Sequence, residues 1–171
     1  MKVGIISDSH RKIGRAKRGI DFLKSQGAEY IIHSGDIVKI EILEYLKQTG
    51  LVYLAVYGNN DTHLFEHHKD FNLVQEPYYF KIQDIKFKLM HHPYFMTPDV
   101  DMIIYGHTHI QHSQINNKTL FINSGEVCAR DKPISTVSLV EILDSEFIVH
   151  SYERQLKTDK WTDRTFRYLR K

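Results

Sequence analysis

The first third of the chain alternates two periods. Val3–Ser7 is a short apolar run with strand character. Ala16–Lys24 follows with apolar residues at Ala16, Ile20 and Leu23, one face of a helix, and Gly27 is a natural stop. Tyr30–His33 is a second strand-like run. Ile40–Thr49 returns to helical spacing through Ile42, Leu43 and Leu46 and stops at Gly50, and Leu51–Tyr57 is a third strand. A strand–helix–strand–helix–strand order predicts a parallel sheet with crossover helices.

The second half is dominated by strands. Tyr78–Gln83 and Lys86–Met90 flank Asp84-Ile85 as a predicted hairpin, and Met102–Tyr105 is a short buried strand before Gly106. Gln111–Ile115 and Thr119–Asn123 flank Asn116-Asn117-Lys118, a turn signal. Ser135–Leu143 and Glu146–Tyr152 flank Asp144-Ser145 in the same way. The pattern predicts an α/β protein of two packed mixed sheets with helices outside. Residues 1–153 read as one domain without repeat or linker. Residues 154–171 form a basic, aromatic extension, with seven Lys or Arg against two Asp and with Trp161, Phe166, Tyr168 and Leu169 interspersed. The favoured reading docks those aromatics on the domain and leaves the basic groups in water; a nucleic-acid or partner-binding arm is the alternative.

Composition changes this picture little, with one exception. A length of 171 residues suits one domain with its own core. A net charge of +2 does not by itself suggest nucleic acid. A single cysteine, Cys128, forbids an intramolecular disulfide, fits a reducing cytoplasm and removes any cysteine-based zinc finger. The opening Met1–Ile6 run is broken by Ser7-Asp8 and reads as a strand rather than a signal peptide. No apolar run approaches the roughly 20 residues of a membrane helix. The exception is histidine: there are 11, scattered rather than gathered in a tag.

Several of them fall in short clusters with other metal-capable groups: Asp8 and His10, Asp36, Asn59, His91, then His107 and His109. Each cluster follows an apolar strand-like run. Two divalent ions held together can activate a water near neutral pH and clamp a phosphoryl oxygen, and such a site needs this mixture of donors. In an extended segment alternate side chains point the same way, so Asp8-Ser9-His10 and His107-Thr108-His109 each offer a convergent pair. Gly106 would let the backbone turn tightly and approach closely. The Asp36 carboxylate has two oxygens and can bridge two cations, and the neutral amide of Asn59 leaves the ions more Lewis acidic. Imidazole and carboxylate without thiolate favour manganese, with Ni, Fe, Co or Zn as alternatives, over Ca or Mg. Asp-x-His alone is a weak signal; the ordered series of five clusters is a specific one.

Ser7-Asp8-Ser9-His10, Gly35-Asp36, Gly58-Asn59-Asn60-Asp61, His91 and Gly106-His107-Thr108-His109 resemble the motifs of the calcineurin-like metallophosphoesterase superfamily, in particular its small single-domain phosphodiesterase branch. The resemblance spans roughly residues 1 to 150. It implies a four-layer αββα sandwich with a dinuclear site at the sheet ends. It implies that Asp8, His10 and His109 hold one ion, that Asn59, His91 and His107 hold the other, and that Asp36 bridges them. A metal-bridging hydroxide would then be the nucleophile.

The chain departs from the family pattern in four places. His91-His92-Pro93 stands where His-Gly-His is usual, so His92 is a substrate-facing group or a competing ligand, and His91 is preferred as ligand because it ends the strand. Asn60 stands where larger relatives carry a histidine acid, while Asp61 is expected to orient its neighbours through hydrogen bonds. Only Tyr94–Asp101 precedes the next strand, where small relatives place a helix; the site is then more open on that side, or another segment covers it. Glu126, in Asn123-Ser124-Gly125-Glu126, adds an acidic group that would disfavour anionic substrates. His63, His67 and His68 are expected on a solvated loop or short helix, with a phosphate-contacting lid as the sharper alternative.

These observations predict a metal-dependent phosphodiesterase acting on a small phosphoester in the cytoplasm. The alternatives are a scaffold that kept the fold, as the retromer subunit did, and a nuclease that uses the basic tail. Nucleic acid is the less favoured partner, no membrane is expected, and a homo-oligomer is left open.

Overall fold

The structure, a computed structural model, describes residues 1–170. The first half runs β1 (Lys2–Ile6), α1 (Ile13–Ser25), β2 (Tyr30–His33), α2 (Ile40–Gln48), β3 (Val52–Val56), a 3₁₀ helix (Thr62–His67) and β4 (Leu73–Val74). The second half runs β5 (Tyr78–Ile82), β6 (Ile85–Leu89), β7 (Met102–Tyr105), β8 (Gln111–Asn116), β9 (Thr119–Ser124), β10 (Ile134–Ile142), β11 (Glu146–Gln155) and β12 (Thr162–Leu169). Seven strands form one mixed sheet in the order β12-β11-β10-β1-β2-β3-β4, and five form the other in the order β5-β6-β7-β9-β8. β1, β2 and β3 are parallel, as the crossover pattern predicts, and the short β4, which the sequence pattern does not predict, adds parallel to β3; β10 joins β1 antiparallel with Gly4 opposite Leu139.

Strand alternation builds the layers. On β1, Val3 and Ile5 face the second sheet, where they meet Phe87, Leu89, Ile104 and Ile122, while Ile6 faces the helices. The helical stripe of Ala16, Ile20 and Leu23 and that of Ile42, Leu43 and Leu46 are fully buried against the large sheet. The β5–β6 hairpin pairs Ile82 with Ile85, so its turn is Gln83-Asp84, one residue earlier than the pattern suggested. That register turns Ile85, Phe87 and Leu89 inward.

Both α-helices cover the outer face of the large sheet. The outer face of the small sheet is covered by the segment after His92, which contains no helix. Met96 and Val100 pack there on Ile103, Tyr105 and Phe121. A buried lysine holds this segment down: Lys88 Nζ lies 2.5 Å from Asp99 Oδ1 and donates to the carbonyls of Thr97 (2.8 Å) and Phe95 (3.2 Å). The stretch thus covers the outer face of the small sheet without forming a helix.

β12 is the edge strand of the large sheet, paired along its length with β11. Trp161 stacks on Phe22 of α1 at 4.6 Å, and Arg164 and Arg167 pair with Glu153 and Glu146 on the neighbouring strand. Among the described residues no helix is long and apolar enough to cross a membrane.

Candidate metal centre

The loops that leave β1, β2, β3, β6 and β7 meet at one end of the two sheets, and they bring all seven metal-capable residues together. Their donor atoms form two groups. In the first, His109 Nε2 lies 3.0 Å from Asp8 Oδ1, and His10 Nε2 lies 3.5 Å from His109 Nε2 and 4.0 Å from Asp8 Oδ1. In the second, Asn59 Oδ1 lies 3.1 Å from His91 Nε2 and 3.2 Å from His107 Nδ1, and those two nitrogens are 3.3 Å apart. Asp36 stands between the groups. Its Oδ2 is 3.8 Å from His10 Nε2 and its Oδ1 is 3.6 Å from His91 Nε2.

The convergence has a different origin from the one the sequence suggested. Asp8, His10, Asp36, His107 and His109 all have positive φ, between 45° and 67°. The paired ligands therefore meet through left-handed turns rather than through strand alternation. Non-glycine residues enter that region at a cost, and its concentration here marks a candidate functional site. Val38, at φ 64°, is the most costly because it is β-branched. Asp61 holds it: the carboxylate accepts the N–H of Val38 (2.7 Å), Ile37 (3.1 Å) and Gly58 (2.8 Å). Gly106 does not have positive φ; it serves close approach. A Cβ there would overlap Ser7 Oγ and come within 2.6 Å of the Ser34 carbonyl.

The electrostatics of the first group centre on Asp8. Asp8 is fully buried and its Oδ1 has no hydrogen-bond partner; His109 Nε2 is close but off the hydrogen-bonding axis. Burial pushes the Asp8 carboxyl up, but His109, Ser7 and His91 outweigh it and hold it below the usual range. Burial lowers His10 and His107, so their imidazoles present lone pairs. His109 is raised, chiefly by its contact with Asp8.

Comparison with known proteins bears on this arrangement. The calcineurin-like phosphoesterase superfamily domain matches residues 1–145. The chain belongs to that superfamily. A phosphodiesterase of Methanocaldococcus jannaschii is 29% identical over 160 residues, covering 86% of this chain and 96% of the relative. The solved structure of an archaeal phosphodiesterase superposes with a TM-score of 0.74 at 26% identity, over 97% of this chain and 100% of that one. Vacuolar protein sorting 29 of Cryptosporidium parvum superposes with a TM-score of 0.79 at 20% identity, over 98% and 97% of the two chains, which is a likeness of fold.

In this calcineurin-like phosphoesterase the surrounding residues fix the donors. His91 Nδ1 is 2.8 Å from the Ser34 carbonyl, so its proton sits there and Nε2 faces Asn59. Asn60 donates to both oxygens of Asp36, from its backbone N–H (3.0 Å) and its side-chain amide (2.7 Å). Of the two other sequence-predicted residues, Asp61 is buried beneath the Asp36 loop. His92 is at the rim, with Nδ1 2.6 Å from Glu76 Oε1 and its ring stacked on Tyr94. Of the three histidines after Asp61, His63 and His67 lie on the 3₁₀ helix and His68 follows its last residue; His63 reaches the Val38 carbonyl at 2.7 Å.

Glu126 departs from expectation. It is buried, 3% exposed, and its oxygens accept the backbone N–H groups of Arg130, Asp131 and Lys132 and the Cys128 thiol. Burial pushes its carboxyl up, but these donors hold it below the usual range. It also lies 2.9 Å from His109 Nδ1. It therefore orients a histidine instead of facing a substrate. Glu76 and Arg130 carry no motif signal of their own; only proximity in the fold reveals them.

Proposed function

We propose that this phosphoesterase is a metal-dependent phosphodiesterase acting on a small phosphoester. Asp8, His10 and His109 would hold one divalent cation, Asn59, His91 and His107 a second, and Asp36 both. The observation that carries the reading is the division of Asp36 between two groups of donors, beside a buried Asp8 oxygen with no hydrogen-bond partner. Donor separations of 3.0–3.5 Å also fit: ligands about 2.0–2.1 Å from one ion stand roughly 3 Å apart. Manganese, nickel, iron, cobalt and zinc all suit such imidazole and carboxylate donors. Bound there, two such cations would supply an activated water for in-line attack and neutralise charge on the phosphoryl oxygens.

The chain's own residues do the rest. Glu126 and Ser34 fix which imidazole nitrogen faces the centre. Asn60 is committed to Asp36 and has no acidic proton to give, so a leaving group must depart without a histidine acid at that position. That favours a diester with a stable leaving group over a demanding monoester. His92, with Nδ1 held by Glu76, keeps Nε2 for a substrate oxygen. A cytoplasmic location belongs to the same reading, resting on a lone, buried cysteine.

The test is reconstitution. The purified protein is stripped with chelator, reloaded with Mn, Ni, Zn or Mg, and assayed on a chromogenic diester and monoester. Metal stoichiometry is read by native mass spectrometry beside Asp36→Ala. Two ions per chain, fewer in the variant, and metal-dependent diester turnover are expected. Absence of metal-dependent turnover of either ester overturns the reading and leaves the scaffold alternative.

A further inference from the structure

Next to the candidate metal centre lies a cleft of about 520 Å³. His10 and Asn60 line it on the side of the centre. Arg11, Lys12, His63 and Arg130 line the remainder together with Val38 and Cys128, and no carboxylate is among its lining residues. Arg11 and Lys12 follow directly on His10, are exposed, and have no ion-pair partner among the described residues. Arg130 stands at the boundary, with Nη1 3.4 Å from His10 Nε2 and Nη2 3.3 Å from His109 Nε2. Its Nε is shared with Asp131 at 3.3 Å, which offsets part of its charge.

This accumulation of positive charge needs an anion. Asp8 and Asp36 are the only carboxylates in the proposed ligand set, so a centre holding two dications stays cationic even before the cleft is counted. Arg11, Lys12 and Arg130 then add charge of the same sign within one continuous cavity. A simple diester brings a single negative charge. A second phosphate on the same molecule adds about −1.5 to −2 near neutral pH, with several acceptor oxygens suited to guanidinium and ammonium donors.

We infer that the cleft is a second anion subsite, and that the substrate is a phosphodiester carrying a further phosphate group on the arm that lies over Arg11 and Lys12. This deepens the phosphodiesterase reading and rests on it for the reacting phosphate alone. The second phosphate is bound, not cleaved. It orients the diester and raises its occupancy, so its effect falls on KM more than on kcat.

Two thymidine esters that differ in one group test this. Thymidine 5′-(p-nitrophenyl phosphate) and its 3′-phosphorylated form release the same leaving group. The metal-loaded wild type is expected to favour the 3′-phosphorylated ester by about tenfold in kcat/KM, mainly through KM. In Arg11→Gln/Lys12→Gln that ratio falls to about one. Both positions are exposed, and a thermal melt checks that the variant is folded. In parallel, the metal-free proteins are titrated with thymidine 3′,5′-bisphosphate and thymidine 5′-monophosphate by calorimetry. Tighter binding of the bisphosphate, lost in the double variant, supports the subsite even if neither ester is hydrolysed, an outcome that would sink only the phosphodiesterase reading. Equal handling of both esters and both nucleotides by the wild type overturns the inference. So does a preference that survives in the double variant.

Discussion

Glu126 Oε2 lies 2.9 Å from His109 Nδ1, and the opposite nitrogen of that ring lies 3.0 Å from Asp8 Oδ1. A buried carboxylate thus sets the tautomer and the aim of a candidate ligand from behind. Partners of this kind are worth about 10–100-fold in metal affinity. Glu126→Gln keeps the shape but only one of the two acceptor oxygens, and it loses the charge behind the imidazole. A loss of roughly tenfold in Mn affinity is expected, with a lowered thermal midpoint. Glu126→Ala also abandons the N–H groups of Arg130, Asp131 and Lys132, so both affinity and stability fall. A metal titration and a melt on each variant check this; unchanged affinity in both removes the orienting role.

Asp61 acts at a greater remove. Its carboxylate accepts three backbone N–H groups and so maintains the left-handed turns at Asp36 and Val38. Asp61→Ala leaves those donors unmatched in a buried site. A stability loss of about 2–4 kcal/mol is expected by chemical denaturation, together with weaker metal binding. A variant as stable as the wild type would show that the turns hold themselves.

Why some of this was legible in the sequence and some was not follows from how local each cause is. The Tyr30–His33 and Met102–Tyr105 strands have the bounds that their apolar runs predict, because burial on both faces leaves a continuous hydrophobic signature. The ligand clusters were legible because each follows such a run. The left-handed turns that bring the ligands together were not, since Asp, Asn and His tolerate that conformation without announcing it. Glu126 was readable as an acid near the site that would disfavour anionic substrates, and not as the partner of His109. Its role depends on donors from Cys128 to Lys132 folding back on it and on His109, 17 residues away. Glu76 meets His92 across 16 residues, and Arg130 meets His10 across 120. No local pattern encodes such pairs.

Lys88 explains how the small sheet does without an outer helix. Its ammonium is 1% exposed and ties down the backbone at Phe95 and Thr97 while meeting Asp99. Lys88→Met keeps the apolar stem and removes the tether. Amide exchange across residues 93–100 is expected to accelerate, with a stability loss of about 1–3 kcal/mol. Exchange as slow as in the wild type would mean that Met96 and Val100 alone hold the segment.

His33 gives the fold a defined acid sensitivity. The ring is fully buried: Nδ1 accepts the Gly35 N–H at 3.2 Å, so Nε2 carries the proton and donates to Ser9 Oγ at 2.8 Å. Burial pushes its pKa down to about 4, from an ordinary value of 6.5. The folded state therefore keeps this imidazole neutral while the unfolded chain protonates it. The sign follows from proton binding: between those two values the unfolded state holds more protons, so acid favours unfolding. The contribution is fully present above about pH 6.5, declines as pH falls towards 4 and levels off below. The shift corresponds to about 3 kcal/mol at most. His33→Gln removes the titration while retaining one donor and one acceptor. Denaturation free energies measured between pH 4 and 7.5 should therefore fall less steeply with acid in the variant than in the wild type. Parallel curves for the two proteins would show that other groups carry the acid sensitivity.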